Sequence, residues 1–582
     1  MRKHVVSAAL FAGLVALGIA PGAVAKPGGS SREYVVVYQD GASAKAARRA
    51  IRAAGGRIVR ENRAVGVATV RSRDARFVRR ARGQRALAGA AANRVIGRRP
   101  GAGRGDKPPW RDVEDEPSRR DRHKPKPQPV NGDQLSGEQW DMAMIGATPA
   151  GSYALQQGSK AARVGIMDTG VDGSHPDIAP NFNRVLSRNF TTDNPVPGID
   201  DGPCEVASCV DPADVDDDGH GTHVAGTIGA ALNGVGVGGV APQVDLVNIR
   251  AGQDSGFFLL QPTLDALTYA GDAGIDVVNM SFYIDPWLYN CRANPADSPA
   301  QQEEQRTIIR ATQRAVDYAR SRGVTLIAAA GNESTDLGNP TSDQTSPDFP
   351  DGAAHPRPVD NGCLTLPTEA PGVLSVSSVG PLNPTASPYP RKAFYSNYGV
   401  EQTTVAAPGG DSREFFGTDA YNAPANRILN AYPLNVATAC GEVDASGVPT
   451  GQTTCASNAR PGTNIRAVPL TRDCFQGTCG LYQWIQGTSM AAPHATGVAA
   501  LIVAQNGRPD RADGGVTMDP DRVERILRRT ATDTPCPAQQ PFVYPEPASA
   551  GLDATCVGDA DFNGFYGDGV VNALAAVQGG RD

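Results

Sequence analysis

The stretch Arg163-Val164-Gly165-Ile166-Met167-Asp168-Thr169-Gly170 decides the fold. A short apolar strand here delivers a carboxylate straight into a Gly-containing turn, and the same design recurs downstream. Helical patterning runs over residues 220–232, a strand over 244–249, a helix over 259–273 and a third strand over 276–281. A long helix over 304–322 leads into the apolar run 324–330, and 373–379 adds another strand. Strands that alternate with helices predict an α/β domain, with a mostly parallel sheet flanked by helices on both faces. In such sheets function sits at the carboxyl ends of the strands.

Upstream the pattern changes. Residues 34–38 read as a strand, 44–54 as a helix, and 57–59 and 64–70 as strands, which together make a small α+β unit without cysteine. Residues 98–138 lose periodicity and alternate Pro, Gly, Arg and acidic residues, the composition of an extended, protease-accessible linker. The extreme N-terminus carries Arg2, Lys3 and His4, an apolar run over 5–20, and Ala23-Val24-Ala25. That is the form of a signal peptide, and the run is short of the ~20 apolar residues that span a bilayer. The expected divisions are therefore 1–25, 26–97, 98–138 and 139–582, with a mature protein that is exported and free of the membrane. All ten cysteines lie between Cys204 and Cys556, and export permits disulfides. Neighbour pairing would join Cys204–Cys209, Cys440–Cys455, Cys474–Cys479 and Cys536–Cys556, leaving Cys291–Cys363, although spacing alone does not fix connectivity.

Charge divides the chain. Of its 582 residues, the first 130 hold 29 Lys+Arg against 10 Asp+Glu, or +19, and the remainder holds 26 against 51, or −25. Opposite charges in one polymer favour docking of one part on the other, and the acidic bulk would repel phosphate, which argues against a nucleic-acid partner.

Three segments stand at element boundaries: Asp168-Thr169-Gly170, the run from Asp218 through His220 and His223 to Thr227, and the run from Gly487 through Ser489 to His494. Singly, each has a structural explanation: a turn, a buried histidine, and a serine that caps a helix. Jointly they supply a hydroxyl, an imidazole that can remove its proton, and a carboxylate that can orient the imidazole. A serine at a helix start also gains from the positive end of the dipole as negative charge develops.

On these motifs the chain resembles the subtilisin family of serine endopeptidases, and the order Asp, His, Ser is that family's known order. The resemblance implies Ser489 as nucleophile, His220 rather than His223 as base, and Asp168 as the orienting carboxylate. Ala328-Ala329-Ala330-Gly331-Asn332 is similar to the family's oxyanion-hole segment, which implies Asn332 as a donor alongside the Ser489 N–H. Substrate would lie as an added strand between Asp254-Ser255-Gly256 and Met280-Ser281, so Ser255, Gly256 and Ser281 are the expected substrate-binding residues. Phe282 and Tyr283 stand where the family has glycines, and residues 333–361 read as an insertion in the primary pocket wall. The chemistry needs no cofactor, and structural calcium is the one metal role the resemblance leaves open. Asp177 matches a family ligand position beside a shortened loop at 232–239, and the acidic run 211–218 is a second candidate. Asp559, Asp561 and Asn563 lack a Glu at the twelfth position, Val570, and are a poor calcium hand.

The resemblance also makes the N-terminal unit an inhibitor-like propeptide. The expectation is a secreted, monomeric endopeptidase acting on polypeptides, held in check by its own propeptide until the linker is cut. A catalytically silent peptide-binding protein on the same scaffold is the alternative, motivated by bulky Phe282 and Tyr283. A third reading treats the basic segment as a nucleic-acid or surface anchor.

Overall fold

The computed structural model describes residues 32–93, 111–114, 116, 118, 128–193, 201, 204–348, 353–455, 465–466, 469–510 and 514–579. The signal-peptide reading lies outside these residues, as does most of the linker. No helix among the described residues is long and apolar enough to cross a membrane.

The N-terminal unit contains β1 (Arg32–Tyr38), α1 (Ala44–Ala53), β2 (Arg57–Asn62), β3 (Val67–Ser72), α2 (Phe77–Arg82) and β4 (Leu87–Asn93). Its strands pair antiparallel in the order β2-β3-β1-β4. Alternation along β1 divides its side chains between two cores. Tyr34, Val36 and Tyr38 pack with Ile51 and Phe77 beneath the unit's own helices. Val35 and Val37, with Val65 and Val67, join a core of the larger domain. Helix α2 and strand β4 escape the sequence reading: Leu-Ala-Gly-Ala-Ala-Ala-Asn carries little strand propensity, and its pairing with β1 is a tertiary effect.

The large domain is built on seven strands: β5 (Arg163–Met167), β6 (Arg188–Asn189), β7 (Asp245–Arg250), β8 (Val277–Met280), β9 (Thr325–Ala329), β10 (Val373–Val379) and β11 (Val405–Pro408). They run in the order β11-β10-β9-β8-β5-β7-β6, and every pairing is parallel. The order reverses around β5, which puts its carboxyl end at the switch point where α/β sheets open a crevice.

The helices that matter to the site are α3 (Arg111–Glu114), α4 (His220–Gly229), α5 (Leu260–Asp272), α6 (Pro299–Ser321) and α7 (Thr488–Asn506). Helix α6 starts five residues earlier than its periodicity suggests. Ser298 caps it, its side chain and that of Gln301 each accepting from the other's backbone N–H, and Pro299 follows at the first position. Helix α4 ends at Gly229, three residues short of expectation, because Ala230 turns to an extended backbone. Residues 488–503 of α7 are all buried. A helix apolar on every side must be enclosed, and α7 packs between the sheet and α4. The five disulfides join Cys204–Cys209, Cys291–Cys363, Cys440–Cys455, Cys474–Cys479 and Cys536–Cys556.

Candidate active site

Strand β5 ends one residue before Asp168, and α4 begins at His220. Between them the carboxylate Oδ1 of Asp168 lies 2.7 Å from Nδ1 of His220, and both side chains are closed off from solvent. Asp168 Oδ1 also accepts from the Thr169 N–H at 2.8 Å. Burial raises the Asp168 carboxyl above its ordinary range, and the imidazole opposes this. Such a carboxylate holds the proton on Nδ1, which makes Nε2 the basic nitrogen of the ring.

Two glycines allow the approach. Gly219 takes φ +102°, and a Cβ there would meet the Tyr432 ring at 2.6 Å. A Cβ on Gly221 would fall 2.1 Å from the Gly170 carbonyl oxygen and 2.9 Å from Asp168 Cβ. Asp216 fixes the start of α4. One of its oxygens accepts from Gly219 N at 2.9 Å, and the other from Thr222 N at 2.9 Å and Thr222 Oγ1 at 2.6 Å. Within the acidic run 211–218, Asp216 is thus the hub of a helix N-terminus, while Asp211 and Asp217 each bring a carboxylate oxygen within 4.8 Å of Asp254, a group of acids that could hold a metal ion.

His223 faces away from Asp168. Its Nε2 lies 3.2 Å from the carbonyls of Ile428 and Gln483, and burial pushes it down to about 3, so it stays neutral and joins α4 to the neighbouring antiparallel strands. His494 sits one turn into α7, with Nδ1 2.8 Å from the Met490 carbonyl and Nε2 3.0 Å from Asp141.

Ser489 opens α7 and is buried. Its Oγ lies 3.5 Å from the Ser281 carbonyl, while Ser281 Oγ donates to the Ser489 carbonyl at 3.0 Å. Asn332 lines the same pocket as Ser281 and Ser489. Its Oδ1 accepts from Thr488 N and Thr488 Oγ1, both at 2.9 Å, which orients the amide from the turn that begins α7. Gly331 N in turn donates to Thr488 Oγ1 at 3.1 Å.

The pocket walls include Phe282, Tyr283, Leu288, Glu333, Thr365 and Thr368. Phe282 stacks on Phe258 with ring centroids 3.9 Å apart, and the Tyr283 hydroxyl donates to Asp348 at 2.6 Å. The two bulky residues are thus anchored as walls. Glu333 accepts from Asn397 Nδ2 at 2.6 Å, and burial pushes its carboxyl up to about 7. Ser255 and Gly256 follow β7; Ser255 N donates to Asp201 at 3.2 Å and Ser255 Oγ at 2.7 Å, and Gly256 turns with φ +84°.

One contact has no counterpart in the sequence reading. Glu114, in the tract read as linker, is fully buried, with Oε2 3.5 Å from Nε2 of His220. Gln486 Nε2 donates to the Val113 carbonyl at 3.2 Å and to Glu116 Oε2 at 3.1 Å. Ser412 Oγ donates to Glu116 at 3.0 Å, and Arg427 Nη2 to the Glu116 carbonyl at 3.1 Å. The tract is a strap laid beside Nε2 of His220.

Residues 159–569 match the Subtilase family. The chain belongs to that family of serine endopeptidases. Among its relatives, Subtilisin Savinase of Lederbergia lenta is 32% identical over 367 residues, which cover 63% of this chain and 84% of that one. The thermophilic serine proteinase of Bacillus sp. (strain AK1) is 25% identical over 357 residues, covering 61% of this chain and 55% of the relative's length. Two solved structures share the fold. The epidermin leader peptide processing serine protease of Staphylococcus aureus superimposes with a TM-score of 0.57 at 20% identity, over 95% of this chain and 99% of that one. Fervidolysin of Fervidobacterium pennivorans gives 0.52 at 19% identity, over 96% of this chain and 62% of that one.

Proposed function

We propose that the chain is the precursor of a secreted endopeptidase in which Ser489 attacks the peptide carbonyl, His220 shuttles the proton and Asp168 orients His220. The observation that carries this is the buried 2.7 Å Asp168–His220 contact at the end of β5, with Ser489 and Asn332 lining one pocket. As Ser489 Oγ bonds to the carbonyl carbon, its proton passes to His220 Nε2, and Asp168 stabilises the resulting imidazolium. The carbonyl oxygen becomes an oxyanion that accepts from Asn332 Nδ2 and the Ser489 N–H. Collapse breaks the C–N bond and returns the proton to the departing amine. Water repeats the cycle on the acyl-enzyme and releases the acid.

Extended polypeptide is the substrate, added as a strand between the Ser255-Gly256 and Ser281 backbones. The anchoring of Phe282 and Tyr283 as walls weighs against the silent binding protein. Fluorophosphonate should label Ser489 after linker removal, and Ser489→Ala should abolish casein hydrolysis. An unlabelled Ser489 would return the reading to a binding protein.

Residues 32–93 act as an inhibitory propeptide that docks on α5 and α6. Arg60 pairs with Asp265 at 3.1 Å, Asn62 Nδ2 donates to Thr268 Oγ1 at 2.8 Å, and Arg310 Nη1 donates to the Ala88 carbonyl at 2.8 Å. The strap completes the block, because Glu114 meets the nitrogen that must receive the Ser489 proton. Glu114→Ala should speed appearance of the mature N-terminus, timed by mass spectrometry in the Ser489-intact chain.

A further inference from the structure

The strap occupies ground beside Ser489 that is built to hold a carboxylate. Glu114 lies against Gly487, where a Cβ would fall 2.8 Å from its Oε1, and its Oε2 is 3.5 Å from His220 Nε2. In the proposed reaction that nitrogen hands its proton to the departing amine, so the space facing it belongs to the residue after the cut. Around Glu114 and Glu116 stand His220, Gly487, Gln486, Ser412, Arg413 and Arg427, none of which lines the pocket of Ser281, Phe282 and Asn332. A peptide whose acyl half fills that pocket sends its amine half toward them.

Further along the strap, Glu116 enters a polar seat. Its Oε2 accepts from Ser412 Oγ at 3.0 Å and from Gln486 Nε2 at 3.1 Å, and its Oε1 lies 3.7 Å from Arg413 Nη2. The seat belongs to the enzyme domain and is held without the strap. Gln486 Oε1 accepts from Ser412 N at 2.7 Å, and the Ser412 carbonyl accepts from Asn422 N at 2.8 Å. The Arg413 guanidinium lies 3.7 Å from the centroid of the Phe394 ring, and its Nη1 donates to the Ala548 carbonyl at 2.7 Å and to Ser549 Oγ at 3.0 Å.

Acids stand behind this seat as well, yet they are engaged elsewhere. Asp411, Glu414 and Glu546 all turn to Arg391, at 2.9, 2.6 and 3.1 Å. Arg427 adds a second guanidinium on the strap side, its Nη2 donating to the Glu116 carbonyl at 3.1 Å. Among the described residues, Glu116 is the one carboxylate within ion-pair reach of Arg413. When the strap departs, fixed donors and a local positive charge stay behind next to the reacting centre. Donors already held in place bind an acidic group with little further ordering. Residues 131–582 carry −25 overall, so the seat is a local exception in a field that favours basic peptides.

We propose that Ser412, Arg413 and Gln486 form a subsite on the leaving-group side that takes an acidic side chain shortly after the scissile bond. The inference rests on the endopeptidase reading and adds a substrate class to it: polypeptides with aspartate or glutamate just beyond the cut. The strap then holds, through Glu116, a place that substrate takes once the strap is gone.

Enzyme matured from the full-length chain is given quenched fluorescent peptides that are identical before the cut and carry Glu or Gln at the first, second or third position after it. Mass spectrometry of the products fixes the bond cleaved. At one of these positions Glu should raise kcat/KM over Gln by about fivefold or more. Arg413→Gln should bring that ratio close to one, and Arg413→Lys should restore part of it. Arg306→Gln, which removes the same charge from α6, should keep the parent's ratio. The parent's own ratio keeps the test readable if Arg413→Gln fails to fold. Cleavage with ratios of one or less at all three positions, or a Glu preference that survives Arg413→Gln, would overturn the subsite and leave the endopeptidase standing. No cleavage together with no fluorophosphonate labelling of Ser489 would overturn the endopeptidase reading, and the subsite with it.

Discussion

At the scale of single residues, the proposed roles divide by what each substitution removes. Asp168→Asn should keep the fold and lower kcat about 10⁴-fold, since the amide fixes the wrong imidazole tautomer. Asn332→Ala should lower kcat by about 10²–10³ with little change in KM, as loss of an interaction made in the transition state requires. Steady-state kinetics on one peptide substrate checks both. Glu333 supplies a pH effect with a defined sign. Its carboxyl titrates at about 7 because it is buried, so it is neutral below that pH and anionic above it. The ratio of kcat/KM for a substrate with Arg before the cut to that for one with Leu should therefore rise as pH increases through 7. A ratio flat from pH 6 to 8 would remove Glu333 from the pocket's electrostatics. The three candidate motifs were legible because they are long and stand at strand and helix boundaries. Glu114 was not, since the run Arg111-Asp112-Val113-Glu114-Asp115-Glu116 has the composition of a solvated linker. Its meaning comes from where the strap passes, which no local pattern encodes.

At the scale of elements, the approach of α4 to β5 rests on backbone without side chains. Gly219→Ala places a methyl against Tyr432 at a positive φ, a conformation that costs an L-residue about 1–3 kcal/mol. Lower thermal stability together with reduced kcat is expected, because His220 is the next residue. The disulfides should differ by loop length. Cys291–Cys363 closes a separation of 72 residues and Cys204–Cys209 one of 5. Chain entropy then assigns about 4 kcal/mol to the first and about 2 kcal/mol to the second. Paired Cys→Ser variants compared by denaturant unfolding of the Ser489→Ala chain test the ranking. The parallel sheet was readable from its near-continuous apolar strands, four cysteine pairs from proximity in sequence, and Cys291–Cys363 as the pair left over. Strand β4 was not, because an alanine-rich segment becomes a strand only when β1 and α6 are there to receive it. The early start of α6 lay in Ser298-Pro299, a capping signal outside the apolar period.

At the scale of the whole molecule, charge and apolar area take different parts in docking. Residues 32–93 hold 15 Lys+Arg and 4 Asp+Glu, or +11. Bridges such as Arg82–Glu303 at 3.5 Å and Arg60–Asp265 at 3.1 Å are partly exposed, and such pairs are worth about 0–1 kcal/mol each. The valines of β1 and β3 supply the larger part. A fragment of residues 26–127 added to mature enzyme should inhibit it. Raising salt from 50 to 500 mM should slow association severalfold and leave dissociation nearly unchanged, because steering acts on encounter. Stopped-flow inhibition measures both rates, and a salt effect confined to dissociation would contradict this division of labour.

The valines that β1, β3 and the turn before β3 lend to the helix platform have an after-effect. Once cut free, Val35, Val37, Val65 and Val67 meet water, and roughly 1.5–3 kcal/mol of burial per side chain is forfeited. A piece as small as residues 32–93 loses stability when that support goes, and whatever fraction of it opens is prey for the proposed catalyst. If residues 32–93 are the inhibitor proposed above, maturation runs as a one-way, self-accelerating event: each liberated molecule destroys a brake instead of handing it on, and the length of the lag reports how fast the severed brake is eaten.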